Sequence, residues 1–355
     1  MENSFIRTFS NNRNKLLGLF SLIFVFVSLI VGVFVGAVSV TVPDIIKIII
    51  GKVTGLSLFQ GEASTEMIIW EIRFSRVMLA FFVGAALSLA GAAFQGLLQN
   101  PLADPYTIGV SSGASLGAVI IIFLGLQIPF LGDFTLPVVA ITTGMFTLLI
   151  VLSLTQFASG RLTNETIILA GIILSSFISA FVSLIIALTP KEDISQILYW
   201  IMGSVSMRGW GHVKLMIPFF VLGTLIILLH YRELNTMALG EQSARFSGMD
   251  VKKKKALILV GAAILTGGAV AVSGPIGFVG LVIPHLVRLL TGANHRVVLP
   301  FSMLIGGGYL VLADLLARTI ISPKELPIGV VTALIGSPIF AALLIKNRLK
   351  KRGEL

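Results

Sequence analysis

Cysteine is absent from all 355 residues, which excludes disulfides, thiolate metal sites and a cysteine nucleophile. Charge is scarce. Only 12% of residues are Asp, Glu, Lys or Arg, about half the share of an ordinary soluble domain. No G-x-x-x-x-G-K-[ST] run occurs, so the chain has no phosphate loop for ATP. The four histidines, His212, His230, His285 and His295, show neither H-E-x-x-H spacing nor a neighbouring carboxylate set, so no metal site is expected. Carboxylates are missing from the long apolar runs, with Asp314 the one exception. Secondary transporters and proton pumps usually carry several intramembrane ionisable groups. A membrane-embedded enzyme would need paired carboxylates or histidines at membrane depth. The sequence argues against both classes, and no catalytic residue is expected.

What is present is apolar: 56% hydrophobic residues and a mean hydropathy of +1.00. A bilayer core of roughly 30 Å needs about 20 apolar residues per helical span, and runs of that length recur from end to end. The expected class is an all-α polytopic membrane protein of about ten transmembrane helices. The first span runs from Leu16 to about Val40, and the second from just after Arg76 to near Gln99. The third to fifth are Tyr106 to Leu124, Leu136 to Phe157 and Thr166 to Leu188. Ile194 to Val205 is too short to cross and is expected at the surface or re-entering. The sixth span is Trp210 to Tyr231, the ninth Val297 to Ile320 and the last Leu326 to Ile345.

The uncharged stretch 256–287 makes about 48 Å of helix at 1.5 Å per residue, too long for one span and short for two. Ser273-Gly274-Pro275 interrupts it, since proline cannot continue the hydrogen-bond ladder. Two helices here give ten spans and put both termini on one side. That side then holds 17 of the 26 Lys and Arg residues, including Arg7, Arg13, Lys15, Lys252 to Lys255 and the tail Lys346 to Arg352. One long helix would translocate the basic tail, against the positive-inside rule. Both termini are therefore expected in the cytoplasm. The net charge of +10 is read as this loop bias and not as a nucleic-acid surface. A cleaved signal peptide over residues 1–39 is disfavoured, because the apolar stretch exceeds an h-region and no A-x-A site follows. The whole of 1–355 is expected to form one domain, with cytoplasmic segments at 1–15, 232–254 and 346–355.

Asp314 and Arg318 lie four apart on one helix face and are expected to pair. Gly109, Gly113 and Gly117 form a small-residue ridge that permits close helix approach. Pro105 to Gly109 opens the third span from one side, and Pro275 to Gly277 opens the eighth from the other, a faint echo of an inverted repeat. Met237 to Met249 reads as a short helix in the longest inner loop. Glu241 suits the dipole of its first turn and Gly248 can close its end. Such a helix can dock a soluble partner, which an ATP-dependent transporter without its own phosphate loop would require.

Several blocks, in order from about residue 70, carry a family resemblance. They are Arg73-Phe74-Ser75-Arg76, Val83 to Gly91, Asn100-Pro101-Leu102-Ala103-Asp104-Pro105, Gly109 to Ala114 and Leu239-Gly240-Glu241 with Ala244 and Gly248. Gly277 to His285 with Arg288, Asn294-His295-Arg296, Ala313-Asp314 with Ala317-Arg318, Glu325 to Thr332 and Gly336-Ser337-Pro338 complete the set. The chain resembles the FecCD family, the permeases of ATP-binding-cassette (ABC) importers for iron-siderophores, haem and cobalamin. The resemblance implies a type II ABC importer permease fold. It implies a second permease subunit, identical or paralogous, two ABC ATPase subunits and an extracytoplasmic substrate-binding protein. ATP would be hydrolysed on the partner ATPase, with no cofactor bound directly and no nucleic acid partner. Iron-siderophore is the expected substrate, with haem or cobalamin as the alternative. Arg73, Arg76 and Arg318 match arginines that dock the binding protein, and all three fall at expected outer helix ends. Leu239, Gly240, Glu241, Ala244, Arg245 and Gly248 match the ATPase-coupling helix, and Thr163, Asn164 and Glu165 the cytoplasmic gate. Ser75, Gln99, Ser247 and Asn294 depart from the usual proline, arginine, leucine and aspartate.

Overall fold

The structure is a computed structural model. It describes the backbone of residues 2–36 and 38–352, and the side chains of 15–36, 38–343 and 345. Arg7, Arg13, Lys346, Arg348, Lys350, Lys351 and Arg352, counted above for topology, have side chains outside the described residues.

The described residues form helices and connecting turns, with no strand. In chain order the α-helices are α1 (Glu2–Phe34), α2 (Val42–Thr54), α3 (Ala63–Met67), α4 (Ser75–Leu97), α5 (Val110–Leu124), α6 (Thr135–Ser159) and α7 (Asn164–Leu188). Then come α8 (Lys191–Met202), α9 (Gly209–Leu229), α10 (Tyr231–Met237), α11 (Glu241–Phe246), α12 (Val251–Ser273), α13 (Val279–Thr291), α14 (His295–Thr319) and α15 (Ile328–Arg352). Among the described residues seven helices are long and apolar enough to cross a membrane, and Val110–Leu124, Val279–Thr291 and Ile328–Leu343 are shorter apolar helices. Together these are the ten expected spans. This is a multi-pass membrane protein.

The second span differs from its expected start. It begins at Ala63 and runs unbroken for 35 residues to Leu97. Its second and third turns, Ile68–Phe74, are a π-helix that holds Arg73. The charges of Arg73 and Arg76 suggested an end, but tertiary partners described below absorb them inside the helix.

α4 is buried along nearly its whole length, as expected of a helix apolar all round. In lipid the hydrophobic effect does not draw helices together, so close packing of small residues must. A Cβ on Gly84 would lie 2.3 Å from the Gly306 carbonyl of α14, and one on Gly91 2.0 Å from that of Gly280 in α13. The ridge on α5 works likewise. Cβ atoms on Gly113 and Gly117 would meet Thr147 and Thr143 of α6 at 1.9 and 2.2 Å. α1, α6, α7 and α9 instead expose apolar side chains such as Phe20, Phe146, Phe177 and Leu225.

α13 starts beside the middle of α4, as does the segment that precedes α5. The 3-10 helix Pro105–Ile108 leads into α5. The Gly280 Cβ position faces both the Leu87 carbonyl (2.8 Å) and the Pro105 ring (3.1 Å). The two proline openings therefore meet in the centre of the molecule. Irregular backbone at membrane depth is tolerated where protein covers it, and Pro105, Ile108 and Ile276 are buried. α8 does not cross. It buries Ile197 and Trp200 beside Val270 and Ala271 near the C-terminus of α12, and Ser204 N–H donates to Ser273 O at 2.7 Å.

Candidate functional sites

Two sites occupy opposite ends of the bundle. At the end carrying α2 and α8, Arg76 stands on the first turn of α4, just past the π-helix. Its guanidinium Nη2 and Nε donate to Asp314 of α14 at 2.9 and 3.0 Å. Nη1 reaches Glu325 Oε1 at 2.9 Å and Ser206 Oγ at 3.2 Å. Asp314 is buried, so this is a charge-assisted, bidentate pair shielded from water. Arg318, the expected partner of Asp314, is more distant, with Nε 3.8 Å from Oδ2. It donates instead to the Gly32 carbonyl of α1. The main partner of Asp314 is thus Arg76, 238 residues away in sequence.

Arg73, Arg76 and Arg318 do converge, since all three line one open cavity of about 490 Å³ with Ile68, Ile72, Thr319, Ser322 and Glu325. They are not free surface cations. Arg73 is only 5% exposed and Arg76 8%. Arg73 donates to the Val38 carbonyl, while its Nη1 and the Nε of Arg318 are buried without a hydrogen-bond partner. Burial raises the Glu325 carboxyl, but hydrogen bonds and charge from Arg76 more than offset this and hold it below the ordinary glutamate value. Glu325 and Ser206 were not foreseen as site residues. Both lie in connections between helices, where no periodicity marks them.

At the other end, the short helix expected within Met237 to Met249 is α11, shorter than that range. α10 stops at Met237, and Gly240, at φ +106°, turns the chain into α11. Gly248, at φ +81°, closes α11. Its N–H donates to Arg245 O at 2.9 Å, and that of Met249 to Ala244 O at 3.3 Å. These are the two bonds of a Schellman cap. α11 buries Ala244 and turns outward Phe246, 91% exposed, with Leu239, 77% exposed, just before it. Two large apolar side chains are thus exposed at this end, one on the six-residue helix and one just before it.

Nearby, Thr163 caps α7, its Oγ1 accepting from Thr166 N–H at 3.3 Å. Asn164 and Glu165 form the first turn. Lys255 of α12 is buried and donates to both Glu241 and the Leu162 carbonyl, the latter at 2.6 Å. The departing residues also have partners. Asn294 caps α14 and accepts from Asn235 at 3.0 Å, Gln99 donates to Met237 O, and Ser75 to Glu71 O. Among the described residues no group of three or more His, Asp or Glu could hold a metal ion.

The sequence matches the profile of the FecCD transport family over residues 22–346. The chain belongs to the FecCD transport family. Relatives of this FecCD chain are transport permeases by name. The ABC transporter permease protein YvrB of Bacillus subtilis (strain 168) is 49% identical over 98% of both chains. The cobalamin import permease BtuC of Halobacterium salinarum is 38% identical over 79% of this chain and 74% of its own. The hemin transport permease HmuU of Yersinia pestis is 39% identical over 80% and 85%. A solved transporter described as of metal-chelate ABC type, in an inward-facing conformation, superposes with a TM-score of 0.81 at 34% identity, covering 94% of this chain and 99% of the other. This FecCD chain is an ABC importer permease, a transport subunit with an all-helical type II fold.

Proposed function

We propose that the chain carries iron-siderophore complexes across the cytoplasmic membrane. The observation that carries this is the likeness, over nearly the whole of both chains, to a transporter of metal-chelate type. Relatives named for hemin and cobalamin also handle bulky metal chelates, so haem or cobalamin is the second reading. The chain would pair with a second permease subunit, identical or paralogous, and with two ABC ATPases that hydrolyse ATP. The α8 end would face outward to a substrate-binding protein. The α11 end and both termini would lie in the cytoplasm.

Roles follow from the two sites. Arg73 and Arg318 line the open cavity beside Arg76, so their positive charge can attract carboxylates of the binding protein. Arg76 holds that cavity together through Asp314 and Glu325. Leu239 and Phe246 supply the apolar contact of α11 with the ATPase, and Thr163, Asn164 and Glu165 the gate. The test is uptake by proteoliposomes that contain the permease, its ATPases and its binding protein. Radio-iron siderophore is expected to accumulate with ATP, while labelled haem and cobalamin do not. Uptake of haem or cobalamin alone would replace the siderophore reading, and uptake without ATPases would reject the importer arrangement.

A further inference from the structure

Four lysines in a row open α12, and their environments differ. Lys252 and Lys253 are exposed and Lys254 pairs with Glu233 at 2.7 Å. Lys255 is only 1% exposed. A fully buried lysine is rare unless its charge is paired and its donors are used. Here the ammonium joins three segments. Its stem belongs to α12, one N–H goes to Glu241, the first residue of α11, and another to the carbonyl of Leu162. Leu162 directly precedes Thr163, the cap of α7. The Glu241 carboxylate has a second cation, Arg245, only at 4.0 Å and half exposed. A cavity of about 340 Å³ lined by Arg161, Leu162, Glu241, Arg245 and Lys255 adjoins the junction, so the ammonium bridges a gap that packing leaves open.

We propose that Lys255 is the positioning residue that makes α11 and the start of α7 move as one body. Losing either bond would strand a buried charge or donor, so a displacement of α11 drags the α6–α7 loop with it. The inference rests on the reading that α11 receives the ATPase and that Thr163 to Glu165 gate the pathway. It adds the link between them.

The experiment uses the assembled transporter in nanodiscs. The cysteine-free sequence allows clean spin labels at Arg161→Cys in the loop and Gln242→Cys on α11, both exposed. In the parent the distance between these labels is expected to stay narrow and constant with and without ATP. In Lys255→Met it is expected to broaden or to change with ATP. Hydrolysis stimulated by the binding protein is expected to fall at least about 10-fold, a loss equivalent to about 1.4 kcal/mol, while basal hydrolysis persists. Lys255→Arg, which keeps charged donors, should restore part of the stimulation. Native stimulation in Lys255→Met, or an unchanged label distance, overturns the proposal. If Lys255→Met fails to assemble, Glu241→Gln gives the same decision, since it removes the charge partner and leaves an acceptor. Crosslinking of Gln242→Cys to the ATPase tests the other reading separately. Its failure removes the ATPase contact, while the label distance still reports whether loop and helix are joined.

Discussion

At the residue scale the deciding feature is a buried charge network. Removing one member of a buried ion pair typically costs about 3–5 kcal/mol, because the remaining charge is left uncompensated. Asp314→Ala is therefore expected to destabilise the chain by about that amount, visible as a lower unfolding temperature in detergent or as failure to accumulate. Glu325→Ala removes a partner that is 40% exposed, and the loss should be about 0–1 kcal/mol. The pH response follows from the depressed Glu325 value. A carboxyl held below its unfolded value stabilises the fold fully above that value, about 4.3, and the contribution disappears as pH falls through the lower, folded value. Thermal stability measured from pH 7 to pH 3 should show a fall below about pH 4 that is smaller in Glu325→Gln. An identical acid profile in the variant would remove Glu325 from the network. The sequence made Asp314 and Arg318 visible as an i, i+4 pair. It concealed Arg76, because no local pattern connects residues 238 apart.

At the scale of elements, helix crossings and caps make different demands on glycine. Gly91 faces backbone of α13 at 2.0 Å, and backbone cannot step aside as a side-chain tip can. Gly91→Val should prevent the α4–α13 crossing and abolish accumulation in the membrane, as seen by fluorescence size exclusion. Gly248 has nothing within 4 Å of its Cβ position, yet sits at φ +81°. Gly248→Trp should therefore leave the chain in the membrane while straining the cap of α11. Uptake and stimulated ATP hydrolysis are expected to fall, and their persistence would remove α11 from coupling. The element count was legible because apolar runs and basic loops are local properties. The start of the second span was not. Arg73 and Arg76 looked like an interfacial boundary, whereas the helix continues through them to Ala63. The start of α11 was legible from Glu241, while the turn at Gly240 needed its φ of +106°, since a glycine within a helical pattern signals either a cap or mere tolerance.

At the scale of the whole molecule, the even number of spans fixes one statement about sidedness: both termini share a side. A reporter fused after Leu355 should be active only if it functions in the cytoplasm. Activity of a reporter that works only outside the cell would invert the assignment and, with it, the roles of the two ends. The family was legible across the chain, because its blocks include surfaces that must meet: Gly84 and Gly91 on α4 and Gly280 on α13. The substrate was not legible in the same way, since no motif in the sequence specifies a ligand.

The Arg76–Asp314 pair also sets an order of events during synthesis. Ribosomes add roughly 5–20 residues per second, so Arg76 emerges on the order of tens of seconds before the carboxylate that neutralises it. Through that interval α4 carries an unmatched cation, and its guanidinium is held near the headgroups by snorkelling. A chain stopped just before Asp314 should therefore remain open to protease attack in pulse-labelled cells, whereas one stopped after Glu325 should resist. Resistance of the shorter chain would show that the early spans settle without α14. Protection that appears only in the longer chain would make the last third of the polypeptide an assembly checkpoint, the bundle closing around α4 once its counter-ion has been made.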